Sequence, residues 1–229
     1  MSVAVFIPIK EHSARVPGKN FRVFADDKPL WRWTIDRIKD RYPIYVSTDS
    51  KDLLRAIEAT YGCKFDAGTR VKARMRPKHL CGDHVSVNLL IEDFVDLLDD
   101  DDVVVQVHVT SPFLTPDAIQ TCVNNIGSGM VDSCSSCDIV QARGWRKIDD
   151  RDYVPLNHNP LTLRPTQELQ PIMVENSLVY GFNVGAFKER KNRITQRHFF
   201  FPASFPEGMD IDTEEDWAMC QAINEIMEP

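Results

Sequence analysis

The run "VVVQVHV", Val103 to Val109, constrains this chain most: a near-continuous apolar strand suits a parallel sheet covered on both faces. Comparable strand-like runs occur at Val3–Pro8, at Ile44–Asp49 ("IYVSTD"), at Met130–Ser136, at Ser177–Asn183 and in "FFFP", with a short third strand expected at Cys63–Phe65. Between them fall segments of helical period: Leu30–Arg41, Lys51–Tyr61, Val85–Leu98, Thr115–Asn125 with Pro116 in its first turn, and Thr213–Met227. Alternating strands and helices imply right-handed crossovers, so the expected fold is an α/β, doubly wound and mostly parallel sheet. At 229 residues and 43% hydrophobic composition the chain is read as one domain, 1–229. The periodicity fails from Cys137 to Leu163, and residues 138–163 are read as a small inserted arm, either a surface loop or an element that packs on a second subunit.

A formal charge of −7 disfavours nucleic acid and anionic membranes as partners, because both require broad basic surfaces. No run approaches a membrane span or a secretory core, so a soluble, cytoplasmic protein is expected. The six cysteines lack the spacing of a disulfide scaffold and are expected reduced. Cys134 and Cys137 form a C-x-x-C without a second pair, which leaves buried cysteines or a zinc or redox use. Asp99 to Asp102 read as a solvated turn between helix and strand, with a metal site as the other reading.

Chemistry concentrates at the two ends of the chain. The loop "IPIKEHSARVPGKN", Ile7 to Asn20, leaves the first strand with Lys10, Arg15 and Lys19 beside Ser13, Gly18 and Asn20, the composition of an anion cradle. A loop at a strand's carboxyl end faces the ligand crevice of an α/β sheet, where Lys and Arg hold phosphate oxygens. It is not a Walker A sequence, and Gly127 and Gly129 make no dinucleotide fingerprint. Near the other end, "GMDIDTEEDW" carries five carboxylates between Asp210 and Asp216. In an extended segment Met209 and Ile211 face the core while Asp210 and Asp212 project together, a pair suited to a hard cation such as Mg2+. Thr213 to Asp216 fits a capping box, with Glu214 and Glu215 in the first helical turn.

In order along nearly the whole chain, these motifs resemble the cytidylyltransferases that activate acidic keto-sugars, the CMP-sialic acid synthetase and KDO cytidylyltransferase group. The loop from Pro8 to Asn20 resembles the pattern P-A-R-x-x-S-K-R-x-P-G-K-N, and "PLWRWTI", "VSTD", "RPKHLCGD", "VTSPF", "QELQPIMVENSLVY" and "DIDTEED" follow in sequence. The resemblance implies a Rossmann-like nucleotidyltransferase with a dimerisation arm, hence a homodimer, that transfers CMP from CTP to an acidic 2-keto sugar. It implies that Lys10, Ser13, Arg15, Lys19, Asn20, Arg76, Leu80 and Asp83 bind nucleotide. It makes Asp210 and Asp212 the Mg2+ ligands, catalytic together with Lys19. His108, Thr110, Ser111, Arg164, Gln167, Asn176 and Tyr180 would meet the sugar; His108 stands where the family often carries glutamine, and is either a sugar contact or a hydrogen-bonded histidine lining the crevice. Two departures bear on the triphosphate: Lys10 replaces an arginine and loses its bidentate fork, and Ala14 replaces a lysine and loses a charge. They leave open a member that uses another nucleoside triphosphate, or one that binds without turnover.

Overall fold

The computed structural model describes residues 1–13, 15–62 and 70–227. The elements, in chain order, are β1 (Val3–Ile9), β2 (Val23–Ala25), β3 (Lys28–Pro29), α1 (Leu30–Ile38), β4 (Ile44–Thr48), α2 (Lys51–Tyr61) and β5 (Val71–Met75). They continue with α3 (Val87–Val95), β6 (Val103–Val107), α4 (Pro116–Gly127), β7 (Ser133–Val140), β8 (Trp145–Lys147), β9 (Tyr153–Pro155), β10 (Ile172–Asn183), α5 (Val184–Arg190), β11 (His198–Pro202) and α6 (Glu214–Met227). Seven strands form one sheet in the order β11-β7-β10-β6-β1-β4-β5. Every neighbouring pair is parallel except the two made by β10, which runs antiparallel to β6 and β7.

Helices cover both faces. On one, Trp31, Ile35, Leu53, Ile57 and Ile119 of α1, α2 and α4 pack on Val5, Ile44, Val103 and Val105. On the other, Leu90, Ile91 and Phe94 of α3 and Phe187 of α5 pack on Phe6, Val104 and Phe182. Two covered faces are why β6 is buried along its whole length. Helix starts follow side-chain chemistry: Ser50, Thr115 and Asn183 cap α2, α4 and α5 by accepting from the amides of Leu53, Ala118 and Ala186.

A third cluster joins the two ends of the chain. Phe24, Leu30 and Trp33, which follow the first loop, bury against Ile211, Trp217 and Cys220 of the carboxy-terminal segment. Arg22 adds a cation–π contact 4.3 Å from the Trp217 ring and an ion pair to Glu214 at 2.7 Å. Burying one such aromatic side chain is worth about 2–3 kcal/mol, enough to hold α6 and the residues before it against the first loop.

Several expected boundaries shift. The strand expected at Cys63–Phe65 lies outside the described residues, as does Ala14. The strand beside β4 is β5, an edge strand whose alternating Lys72 and Arg74 mask its apolar period while guarding its open edge. The arm also moves: Asp138–Val140 continue β7 and pair with Ile172–Val174 of β10, so the excursion runs over 141–171 and carries the β8–β9 hairpin. The Asp99–Asp102 turn is tied down rather than solvated throughout, since buried Asp102 accepts from the Ser2 and Asp99 amides and Asp101 pairs with the chain amino terminus. Cys134 and Cys137 are buried on β7, where residues three apart point to opposite faces, which removes the shared-ligand reading. Among the described residues, no helix is long and apolar enough to cross a membrane.

Candidate active site

A cleft of about 600 Å3 opens at the carboxyl ends of β1 and β6, between the first loop and the segment before α6. Its floor is set by backbone pairing: the Ile211 amide donates to the Thr110 carbonyl at 2.9 Å, fastening the aspartate segment to the end of β6. Ile211 is buried in the third cluster, so Asp210 and Asp212 both turn into the cleft.

The first loop closes the opposite wall. Gly18 takes a left-handed conformation (φ 68°), which a side chain would strain, and starts the turn that carries Lys19 and Asn20. Lys19, a residue only 8% exposed, donates through its ammonium to the Ile211 carbonyl and reaches Asp212 at 3.4 Å. Arg15 pairs with the same carboxylate at 2.7 Å. Asn20 donates to the Lys10 carbonyl at 2.9 Å and folds the loop on itself, while Lys10 pairs with Asp83 at 3.3 Å across the mouth. Lys10, Ser13, Arg15, Lys19, Asn20, Asp83, Asp210 and Asp212 therefore share one cavity, lined also by His12 and by an apolar wall of Val85, Val87 and Leu90.

Arg76 sits beneath this loop. Its guanidinium donates to the Ile9 carbonyl at 3.1 Å, to the Ser47 carbonyl at 2.8 Å and to the Ser47 hydroxyl at 3.2 Å, leaving Nη1 without a hydrogen bond and 3.9 Å from Asp49. Burial lowers its pKa, with Asp49 opposing. The Asp49 carboxylate also accepts from the Glu11 amide at 2.7 Å, so Arg76 and Asp49 brace the loop from below. Leu80 turns away from the cleft into the core beside Phe6 and Leu90.

Asp210 is the strained member of the pair. Burial, together with the Asp212 charge, raises its pKa above the ordinary carboxylate value, against the opposing effects of the Thr110 hydroxyl, Lys19 and Arg15. Its Oδ1 is buried without a hydrogen-bond partner. The next four residues close the capping box: the Asp216 amide donates to Thr213 Oγ1 at 3.1 Å and the Thr213 amide to Asp216 Oδ2 at 2.8 Å. Asp216 is thereby committed to α6, and Glu214 to Arg22.

The residues expected to meet a sugar divide. His108 and Thr110 line the cleft, joined by Ser177, which the sequence does not single out and which holds a positive φ of 61° in a β10 bulge. Ser111 is fully buried behind them. Asn176 is spent on Ser136 and Asp138, at 2.6 and 3.0 Å. Tyr180 is buried beneath Arg193 and donates to Glu175 at 2.8 Å. Arg164 and Gln167 are exposed on the 141–171 excursion, outside the cleft-lining residues. Two residues that sequence reasoning missed, Gln106 and Arg193, reach His108 in turn. No local signal marks Arg193, one cation among several in "KERKNRITQRH".

A doubly wound sheet with its crevice at the strand ends, cations on one wall and carboxylates on the other, has the architecture of the Rossmann-like nucleotidyltransferases. Residues 4–206 match the family described as Cytidylyltransferase, and the chain belongs to that family. It is 25% identical over 224 residues to the N-acylneuraminate cytidylyltransferase of Streptococcus agalactiae serotype III, covering 95% of this chain and 52% of that protein. The chain thus spans about half the length of the streptococcal relatives it matches. It is 27% identical over 246 residues to the CMP-N,N'-diacetyllegionaminic acid synthase of Legionella pneumophila, covering 99% and 97% of the two chains. Among solved structures it shares the fold of a CMP:2-keto-3-deoxy-manno-octonic acid synthetase complexed with CTP, at TM-score 0.68 and 14% identity over 99% of this chain and 100% of that one. The fold is also that of the 4-diphosphocytidyl-2C-methyl-D-erythritol synthase from Anaerococcus prevotii, at TM-score 0.63 and 13% identity over 98% and 96%.

Proposed function

We propose that this chain transfers CMP from CTP to the anomeric hydroxyl of an acidic 2-keto sugar of the nonulosonate or octulosonate class. The anomeric oxygen forms a bond to the α-phosphorus and loses its proton, the α–β phosphoanhydride bond breaks, and pyrophosphate leaves. One observation carries the reading: Arg15 and Lys19 of the first loop meet Asp212 at 2.7 and 3.4 Å across most of the chain's length, which brings an anion cradle and a carboxylate pair into one cleft.

Lys10, Ser13, Arg15, Lys19 and Asn20 hold the triphosphate, with Lys19 fixed by its carbonyl contact before any ligand arrives. Such preset charge stabilises a transition state without reorganising, and phosphoryl-type transfer needs little else from the protein. Asp210 and Asp212 fit Mg2+: two adjacent carboxylates, one with a buried unpartnered oxygen, are an oxygen donor set left open for substrate phosphates and water. Bound there, the cation would offset negative charge on the phosphates and help orient the attacking oxygen. Val85, Val87 and Leu90 offer an apolar wall to the nucleoside, and His108, Thr110 and Ser177 face the acceptor sugar.

The test is pyrophosphate release with CTP, UTP, ATP or GTP against a panel of nonulosonic and octulosonic acids in the presence of Mg2+. Release with CTP and one acid class is expected. No release with any pair would sink the transferase reading, and a preference for UTP would sink the cytidylyl one.

A homodimer belongs to the same reading. The excursion and the strands that carry it expose Ile148, Leu156, Leu161, Leu163, Met173 and Val174, large apolar side chains of the kind that an interface covers. Replacing 141–171 by a short turn is expected to halve the mass seen by light scattering. An unchanged mass would place the contact elsewhere.

A further inference from the structure

His108 is positioned by a chain of donors that reaches it from outside the cleft. Arg193 Nη1 bonds Gln106 Oε1, and the Gln106 amide nitrogen lies 2.7 Å from His108 Nε2. The arginine is itself held in place: its guanidinium lies 3.4 Å from the centroid of the Tyr180 ring, and its backbone amide donates to Asn88 Oδ1 at 3.2 Å. Gln106 is fully buried on β6, out of reach of bulk solvent.

The direction of every bond follows from what each group can do. A guanidinium only donates, so the Gln106 oxygen must face it and the Gln106 NH2 must face the histidine. An NH2 group only donates in its turn, so His108 Nε2 must carry a lone pair and the ring proton must sit on Nδ1. Nδ1 has no partner among the described residues and is not sealed from solvent, and the ring lines the cleft.

We infer that Arg193, acting through Gln106, is a positioning residue that locks His108 as a neutral ring presenting its Nδ1–H to an oxygen of the acceptor sugar. The inference rests on the transferase reading only for the identity of that oxygen. It assigns His108 a donor's role and denies it that of general base, because the only lone pair on the neutral ring is already occupied. The charged groups around it agree: burial, Arg193 and Lys19 lower its pKa to about 4 against the opposing Asp212, so the ring stays neutral at physiological pH.

The experiment is nitrogen-15 NMR of the His108 side chain in the full chain, with acceptor and CTP kinetics on the same samples. In the parent protein the Nδ1–H neutral form is expected throughout neutral pH; a dominant Nε2–H form or an imidazolium would overturn the inference. Gln106→Glu offers an acceptor in place of the donor and should move the proton to Nε2. It should raise the acceptor KM about tenfold while the CTP KM stays within about twofold, the scale of one hydrogen bond lost from one substrate. Arg193→Met should loosen the lock in the same sense, and Arg193→Lys, which keeps a donor, should restore it. Equal acceptor KM values for the parent, Gln106→Glu and Arg193→Met would overturn the proposed contact. If the parent releases no pyrophosphate with any substrate pair, the transferase reading fails, while the NMR result still decides how the ring is held.

Discussion

Asp210→Asn is expected to abolish nearly all turnover and yet to make the ligand-free protein more stable at neutral pH. The loss should be on the order of 10²–10³-fold, the range found when one preorganised electrostatic group is removed from a reacting centre. The gain follows from burial, which raises the Asp210 pKa in the folded state above its ordinary value of 3.8. A carboxyl group raised in this way costs folding stability as pH climbs from its unfolded value through its folded one, because the unfolded chain releases the proton first. At neutral pH the folded parent bears that full cost, and asparagine, which does not ionise, removes it. An increase of about 1 kcal/mol is expected, the usual scale when a functional site is relieved of a destabilising group. The difference should shrink as pH falls toward 4. Urea unfolding at two pH values, paired with pyrophosphate release, measures both effects. Mg2+ should raise the stability of the parent and not that of the variant. Full activity in Asp210→Asn would refute the metal assignment, and lower stability would refute the account of its burial.

Lys19→Met should fail differently, losing both activity and stability. The ammonium is the most buried cation of the first loop, and it ties that loop to the Ile211 carbonyl and to Asp212. Removing it leaves the carbonyl and the carboxylate short of a donor, at a cost of roughly 1–3 kcal/mol, and strips one charge from the proposed phosphate cradle. A fall of about 100-fold or more in kcat/KM for CTP is expected. Lys19→Arg keeps the charge but must fit a planar fork where a compact ammonium sits, so it should recover only part of the activity. If Lys19→Met turned over CTP within about threefold of the parent, the cradle would not work as described.

The contrast between Asp212 and Arg164 shows what can be read from a linear chain. Asp212 was legible because alternation about the apolar Ile211 dictates its direction, and the structure buries Ile211 as alternation requires. Arg164 carries no such periodic neighbour. Its place depends on how an irregular excursion packs, and the chain leaves it exposed there. Arg76 falls between these cases: its basic segment was visible, but its burial under Ile9 and Ser47 arises from the β4–β5 pairing, and β5 hid its period behind Lys72 and Arg74. Leu80 and Ser111 belong to cleft-forming segments while their side chains turn inward, a choice made by core packing rather than by motif.

By itself, the sequence determined the local and periodic features: the alternation of strands and helices, the capping box at Thr213–Asp216, the anion-binding composition of the first loop and the paired direction of Asp210 and Asp212. Tertiary structure alone decided that the two chain ends share one cleft, through the burial of Ile211 and Trp217 against Phe24, Leu30 and Trp33. It also decided that Arg193 governs His108 through Gln106. The physical reason is range. Backbone propensity and side-chain period act over a few residues, whereas burial and hydrogen-bond satisfaction join groups wherever the fold brings them together.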